Sequence, residues 1–139
     1  MKRYHLLILA FLLITLGGMC YGLKETVTHH YGAFAERFPR ANLLWWNPAL
    51  SWRQKYEGGI QAQGAAFPGS TTVFVFVTDA YHLFGELERV FTRCGFVVLA
   101  FGMYDYGSLR IRPLPLVLCM SAAWIVWSAG FHLIYTLIF

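Results

Sequence analysis

The sequence is poor in charge. Asp, Glu, Lys and Arg make up 13% of its 139 residues, about half the share usual in soluble domains. Apolar residues reach 58% and aromatic ones 18%. That balance excludes a disordered chain and argues against a soluble globular domain. Cysteine is scarce as well. Cys20, Cys94 and Cys119 form no CxxC pair and lie in or beside apolar stretches. They exclude a disulfide framework and read as buried thiols. No Gly-rich phosphate loop, nucleophile elbow or nucleotide fingerprint occurs, and Ser51, Ser70 and Ser121 have no base nearby in sequence. The net charge of +4 comes from cations scattered among aromatics. Such a pattern suits anionic lipid headgroups, and no nucleic-acid partner is expected.

Two stretches lack charge altogether. From Tyr4 to Leu23 there is no Lys, Arg, Asp or Glu. At about 1.5 Å per residue such a run covers the roughly 30 Å hydrocarbon core of a bilayer. Lys2 and Arg3 precede it, as they would in a secretory signal, but Gly17, Met19 and Cys20 fit neither a lipoprotein box nor a cleavage site. The run therefore reads as a true span. The second charge-free stretch follows Arg112. Pro113 and Pro115 suit a helix start, and the span is expected over 114–139.

Between them, 71–104 is expected to be a third span, as one long helix or as two short ones bent near Gly85 or Gly95. As one helix it would extend roughly 50 Å, with Ser70 and Thr71 as N-cap candidates. Thr72, Asp79, His82, Glu86, Arg89 and Arg93 recur at intervals of 7, 3, 4, 3 and 4. At 100° per residue they share one narrow face, which should turn toward other helices or a wet cavity, since lipid would not tolerate it. The fold expected is an all-α membrane bundle of three or four spans in a single domain, 1–139, with an extramembrane connection over 24–70. With three spans, Lys2, Arg3, Arg110 and Arg112 fall on one side, which the positive-inside rule makes cytoplasmic.

The connection is not a plain linker. Residues 29–38 are expected to prolong the first helix beyond the membrane, with His29 and His30 as solvated surface residues. Trp46, Asn47, Ser51, Trp52, Lys55 and Tyr56 then mix aromatic rings, cations and polar groups. Trp and Tyr favour the headgroup level and Lys snorkels there. The segment thus reads as an interfacial anchor, or else as a lid with Asn47, Ser51 and Trp52 at its polar edge. The run Trp46-Asn47-Pro48…Ser51-Trp52…Lys55-Tyr56, followed by Gly69 to Thr72 and by Thr78-Asp79-Ala80…His82, resembles a group of small, uncharacterised bacterial integral membrane proteins. The resemblance covers roughly residues 25–85 and takes in His30-Tyr31. It implies an architecture in a bacterial inner membrane and carries no chemistry.

Asp79, His82, Glu86 and His132 are the groups best suited to chemistry. Ser121, Ser128 and His132 share a face of the last span. The short loop 104–113 makes the last two helices antiparallel neighbours, which would bring His132 to the depth of His82. Three readings follow. Asp79, His82, Glu86, Arg89, Arg93 and His132 form a structural polar network, without cofactor, in a non-enzymatic protein with lipid, membrane-protein or homo-oligomeric partners. Alternatively, Asp79, His82 and His132, with Glu86 or His30 in reserve, hold Zn²⁺ and hydrolyse a lipid. In the third reading the stripe passes protons or ions.

Overall fold

The computed structural model describes residues 3–104 and 113–138. Among them the chain is all-helical. Its α-helices are α1 (Arg3–His29), α2 (Tyr31–Arg37), α3 (Leu43–Trp46), α4 (Pro48–Ser51), α5 (Ala80–Met103) and α6 (Pro113–Ile138). Short 3₁₀ turns fill much of the path from α4 to α5. The sole β-like contact among the described residues is an isolated antiparallel bridge between Tyr56 and Ala65. Of the six helices, α1 and α6 are long and apolar enough to cross a membrane. Lys2, Arg110 and Arg112, on which the orientation rests, lie outside the described residues, as does Phe139.

α1 is the central helix, and α5 and α6 both pack along it. α5 runs antiparallel to α1. Gly102 faces Leu6 and Leu7, Gly95 faces Ala10 and Ile14, Thr92 faces Gly17, and Gly85 faces Lys24. The α5 residues in this seam recur every three or four positions, as helix-on-helix packing requires. α6 runs parallel to α1. Gly18 meets Trp127 and Phe131, Gly22 meets Phe131 and Ile134, and Gly130 meets Thr15 and Met19. At 100° per residue the two seams lie roughly 120° apart around α1. Small residues make both possible, because a missing side chain lets backbones approach closely. Ala10, Ile14, Leu99 and Ala123 are buried where the seams converge.

The remaining large apolar residues point outward. Ile8, Leu12 and Leu16 of α1, Val97 and Phe101 of α5, and Leu118, Trp124, Ile125 and Leu133 of α6 are all exposed, Trp124 by 69%. An apolar helix that is not covered by its own chain is not a soluble-core helix. Along α6 the rings of Trp124, Trp127, Phe131 and Tyr135 stack in succession. Tyr135 ends this ladder against His30, whose Nε2 lies 2.6 Å from the phenol oxygen.

The third helix is shorter than the sequence suggests. Residues 71–78 form turns, and α5 begins after Asp79. Two features explain this. Thr71, Thr72, Val73, Val75 and Val77 are β-branched and stiff at χ1, which disfavours a helix. Asp79, in extended backbone, then accepts the His82 backbone N–H at 2.8 Å, a stronger cap than Ser70 or Thr71 can offer so far upstream. From there α5 is one helix through Gly85 and Gly95. The extension of α1 holds with one break. His30 leaves helical geometry and α2 follows at once. The cysteine expectation fails at Cys94, which is exposed, while Cys20 and Cys119 are partly buried.

The glycine seams generate a prediction. A methyl group at Gly18 would overlap the Trp127 carbonyl oxygen. Gly18→Ala should therefore destabilise the α1–α6 pair by about 1–3 kcal/mol, as overpacking does. Gly32, in α2, has nothing within 4 Å of the corresponding position. Gly32→Ala should be neutral or stabilise by up to about 1 kcal/mol through helix propensity. Thermal unfolding in detergent, followed by circular dichroism, separates the two.

Candidate functional site

The polar residues of α5 begin at its cap. Asp79 is 1% exposed. Its carboxylate accepts the His82 backbone N–H, and both its oxygens lie 2.8–2.9 Å from His82 Nδ1. The Thr78 hydroxyl stands 3.2 Å from Oδ2. Burial pushes the Asp79 carboxyl up, but the side-chain and backbone bonds from His82, its charge and the Thr78 hydroxyl outweigh that and hold it below its ordinary range. The backbone N–H and the ring of the third helical residue thus both bond the cap carboxylate.

One turn on, Glu86 pairs with Arg89. Together with His82 they line a polar cavity of about 160 Å³ at the α1–α5 seam, facing Lys24 of α1 and Glu88 of α5. Lys24 lies over the rings of Tyr21 and Tyr81 and 3.7 Å from Glu25. Glu88 receives a long bond from the Thr92 hydroxyl, 3.4 Å.

The expected stripe is therefore only partly turned inward. Asp79, His82, Glu86 and Arg89 come together near the start of α5. The face that α5 presents to α1 is Gly85, Glu88, Thr92, Gly95 and Leu99, so the stripe sits roughly 120° to its side. Arg89 and Arg93 are exposed, the Arg89 side chain by 57%. Thr72 lies outside the helix.

His132 does not join the cluster. Its neighbour Phe131 packs at Gly22, and Tyr81 packs at Lys24, so His132 and His82 lie at similar heights along α1. They lie on different sides of it: α5 and α6 pack on separate seams of α1, and His132 is exposed on α6, as is Ser121. Among the described residues no three of His, Cys, Asp and Glu gather where they could hold a metal ion. Asp79, His82 and His132 thus do not assemble as a ligand set, and the hydrolase reading loses its geometry. His30 is taken up by Tyr135 rather than left to solvent.

The segment from Trp46 to Tyr56 folds onto the end of the bundle. Trp46 stacks on Phe84 of α5 at 5.7 Å and on Phe34 of α2 at 4.9 Å. Asn42 and Asn47 cap the single-turn helices α3 and α4, accepting from the Leu44 and Ala49 backbone N–H groups. Asn47 is thus occupied by its own backbone. Ser51 is buried. Trp52 is exposed, with Tyr56 against it edge-on and Arg53 over its ring, while Lys55 lies over Tyr56. Ser70 pins the following loop by donating to the Lys55 carbonyl at 2.7 Å.

A feature that the sequence did not signal lies beside this segment. Leu23, Phe34, Phe38, Trp46, Ile134 and Leu137 enclose an apolar groove of about 990 Å³, with Arg37 and Arg40 among its walls. Four separate segments build it, so no local spacing announces it. Comparison with family models, curated proteins and solved structures finds no match to this chain.

The cap generates a second prediction. Asp79→Ala should cost about 0.5–2 kcal/mol, the usual effect of losing a cap, whereas Asp79→Asn should cost less because an amide oxygen still caps. The Asp79 carboxyl has a lowered pKa, so its ionised form stabilises the fold above the ordinary carboxylate range, and that contribution fades as pH falls through the folded value. Acid titration of thermal stability should show a smaller loss in Asp79→Asn than in the parent chain. Equal acid sensitivity would contradict this account of the cap.

Proposed function

We propose that the chain is a small, non-enzymatic integral membrane protein with three spans, α1, α5 and α6, which works by association through the charged edge of α5. The observation that carries this reading is the exposure of Arg89 and Arg93 beside Glu86 at a depth where α1 and α6 are apolar. Glu88 and Thr92, which flank Arg89 on α5, pack at Gly17. Gly17 lies about 9 Å along the axis from the end of the charge-free run at Leu23. α5, about 36 Å long, can cross the hydrocarbon core, but each uncovered charge there costs about 2.5–3.5 kcal/mol on insertion scales.

A second copy of the chain relieves this cost. Two α5 helices related by a two-fold axis along the membrane normal place like-numbered residues at equal depth. Glu86 of each copy then sits about 4.5 Å in height from the other's Arg89, and the two in-chain pairs merge into a four-charge network. Such an isologous contact is self-completing. Membership of the bacterial membrane group, an inner-membrane location and a cytoplasmic N-terminus complete the proposal. They rest on the motif resemblance and on the basic residues flanking the spans.

The test is association in bilayers. Glu86→Gln/Arg89→Gln/Arg93→Gln removes the charges and lowers the cost of insertion, so the variant should still reach the membrane. Energy transfer between labelled copies in liposomes should show dimers of the parent chain and at least about a tenfold weaker dimer for the triple variant, a change of roughly 1.4 kcal/mol. Equal association of both chains, or a monomeric parent, would end the proposal.

A further inference from the structure

From the apolar groove we infer a binding site for one anionic phospholipid, its acyl chains between α2 and α6 and its phosphate on Arg37 and Arg40. The inference rests on the membrane placement proposed above, and it uses a part of the molecule distinct from the α5 edge.

The groove has the size and lining of a site for an amphiphile. Its volume, about 990 Å³, lies at the upper end of the roughly 300–1,000 Å³ usual for small-molecule sites. Its walls are three aromatic rings, Phe34, Phe38 and Trp46, and aliphatic side chains from α1 and α6. Water gains little in such a space, because almost no polar group there offers it a bond. Hydrocarbon fits it.

The two cations select the rest of the ligand. Arg37 and Arg40 are exposed at one side of the groove. Among the described residues neither takes part in an ion pair, and Glu36, next in sequence, does not line the groove. A guanidinium presents a planar fork of donors that matches phosphate oxygens, and two of them bind an anion better than a zwitterion. Depth agrees with this chemistry. Leu23 closes the charge-free run of α1, and Ile134 and Leu137 lie in the last turns of α6. The apolar part of the groove is therefore level with the ends of the apolar helices, near the height at which headgroups begin, and Arg37 and Arg40 line the same groove. A lipid from the surrounding leaflet can enter sideways without leaving the membrane.

Full-length chain is reconstituted in nanodiscs holding equal phosphatidylglycerol and phosphatidylcholine, released, and weighed by native mass spectrometry. The parent should retain one phosphatidylglycerol at least about tenfold over phosphatidylcholine. Arg37→Gln/Arg40→Gln should lose that preference, while Arg53→Gln, outside the groove, should keep it. Ala41 also lines the groove, and Ala41→Trp, which fills it and leaves both cations, should retain neither lipid. Helical circular dichroism of each variant checks the fold. Equal retention of the two lipids by the parent, or unchanged preference in Arg37→Gln/Arg40→Gln, overturns the site. An alkaline carbonate wash separates the two proposals: protein lost from membranes overturns the placement and the site together, whereas protein that stays but shows no preference overturns the site alone.

Discussion

The structure depends on one constraint: α1 must touch two helices at once, each seam closed by glycines that leave room for a facing backbone or side chain. Gly17 opens one side and Gly18 and Gly22 the other. Gly95 and Gly102 answer from α5, Gly130 and Ala123 from α6. Close approach through small residues gains dispersion contacts and does not need a difference in polarity between seam and surroundings. Many larger apolar residues are consequently left to face outward on all three helices, with Ile14 and Leu99 the buried exceptions.

The same constraint decides where the charges go. With the seam of α5 occupied by Gly85, Glu88, Thr92 and Gly95, a residue one position further round cannot also face α1. His82, Glu86, Arg89 and Arg93 fall on that neighbouring line. Near the start of α5 the outer end of α1 still supplies Lys24 and Glu25, and the polar groups there enclose a small cavity. Further along, α1 offers Ile14 and Ala10, and Arg93 has no polar side chain of α1 to approach. Charge is thus satisfied at one end of the seam and left at the surface toward its middle. The proposed association through this edge is a consequence of that gradient.

Much of this was legible in the sequence. The charge-free runs marked α1 and α6, the two helices long and apolar enough to cross a membrane. The paired prolines marked the start of α6. The periodicity at 82, 86, 89 and 93 correctly marked one helical face. What periodicity cannot say is which way a face turns. Equal spacing links Gly85, Glu88, Thr92 and Gly95, and the sequence does not rank a small-residue line above a charged one. The choice depends on which helix α5 meets, and α1 rather than α6 is that helix. His132 was misplaced for this reason, although it lies at a height along α1 similar to that of His82. The start of α5 was missed because apolar β-branched residues keep a segment hydrophobic while they weaken it as a helix.

The groove and the polar cluster, though built from different chemistry, share a support. Trp46 forms part of the groove wall and stacks on Phe84. Phe84 sits in the first turns of α5, five residues after the Asp79 cap and two after His82. Whatever fixes the first turn of α5 therefore also fixes the ring against which Trp46 rests. Phe34 carries the contact on to α2, and His30, just ahead of α2, is held by Tyr135 of α6. A closed circuit of contacts runs from α5 through Trp46, Phe34 and His30 to α6. It crosses one end of the bundle. α1 joins the two helices along their length, and the aromatic segment joins them at one end. An interfacial anchor would need rings at the surface and no more. Trp46, set against rings of both α2 and α5 and on the wall of the groove, belongs to the packing of the bundle as well.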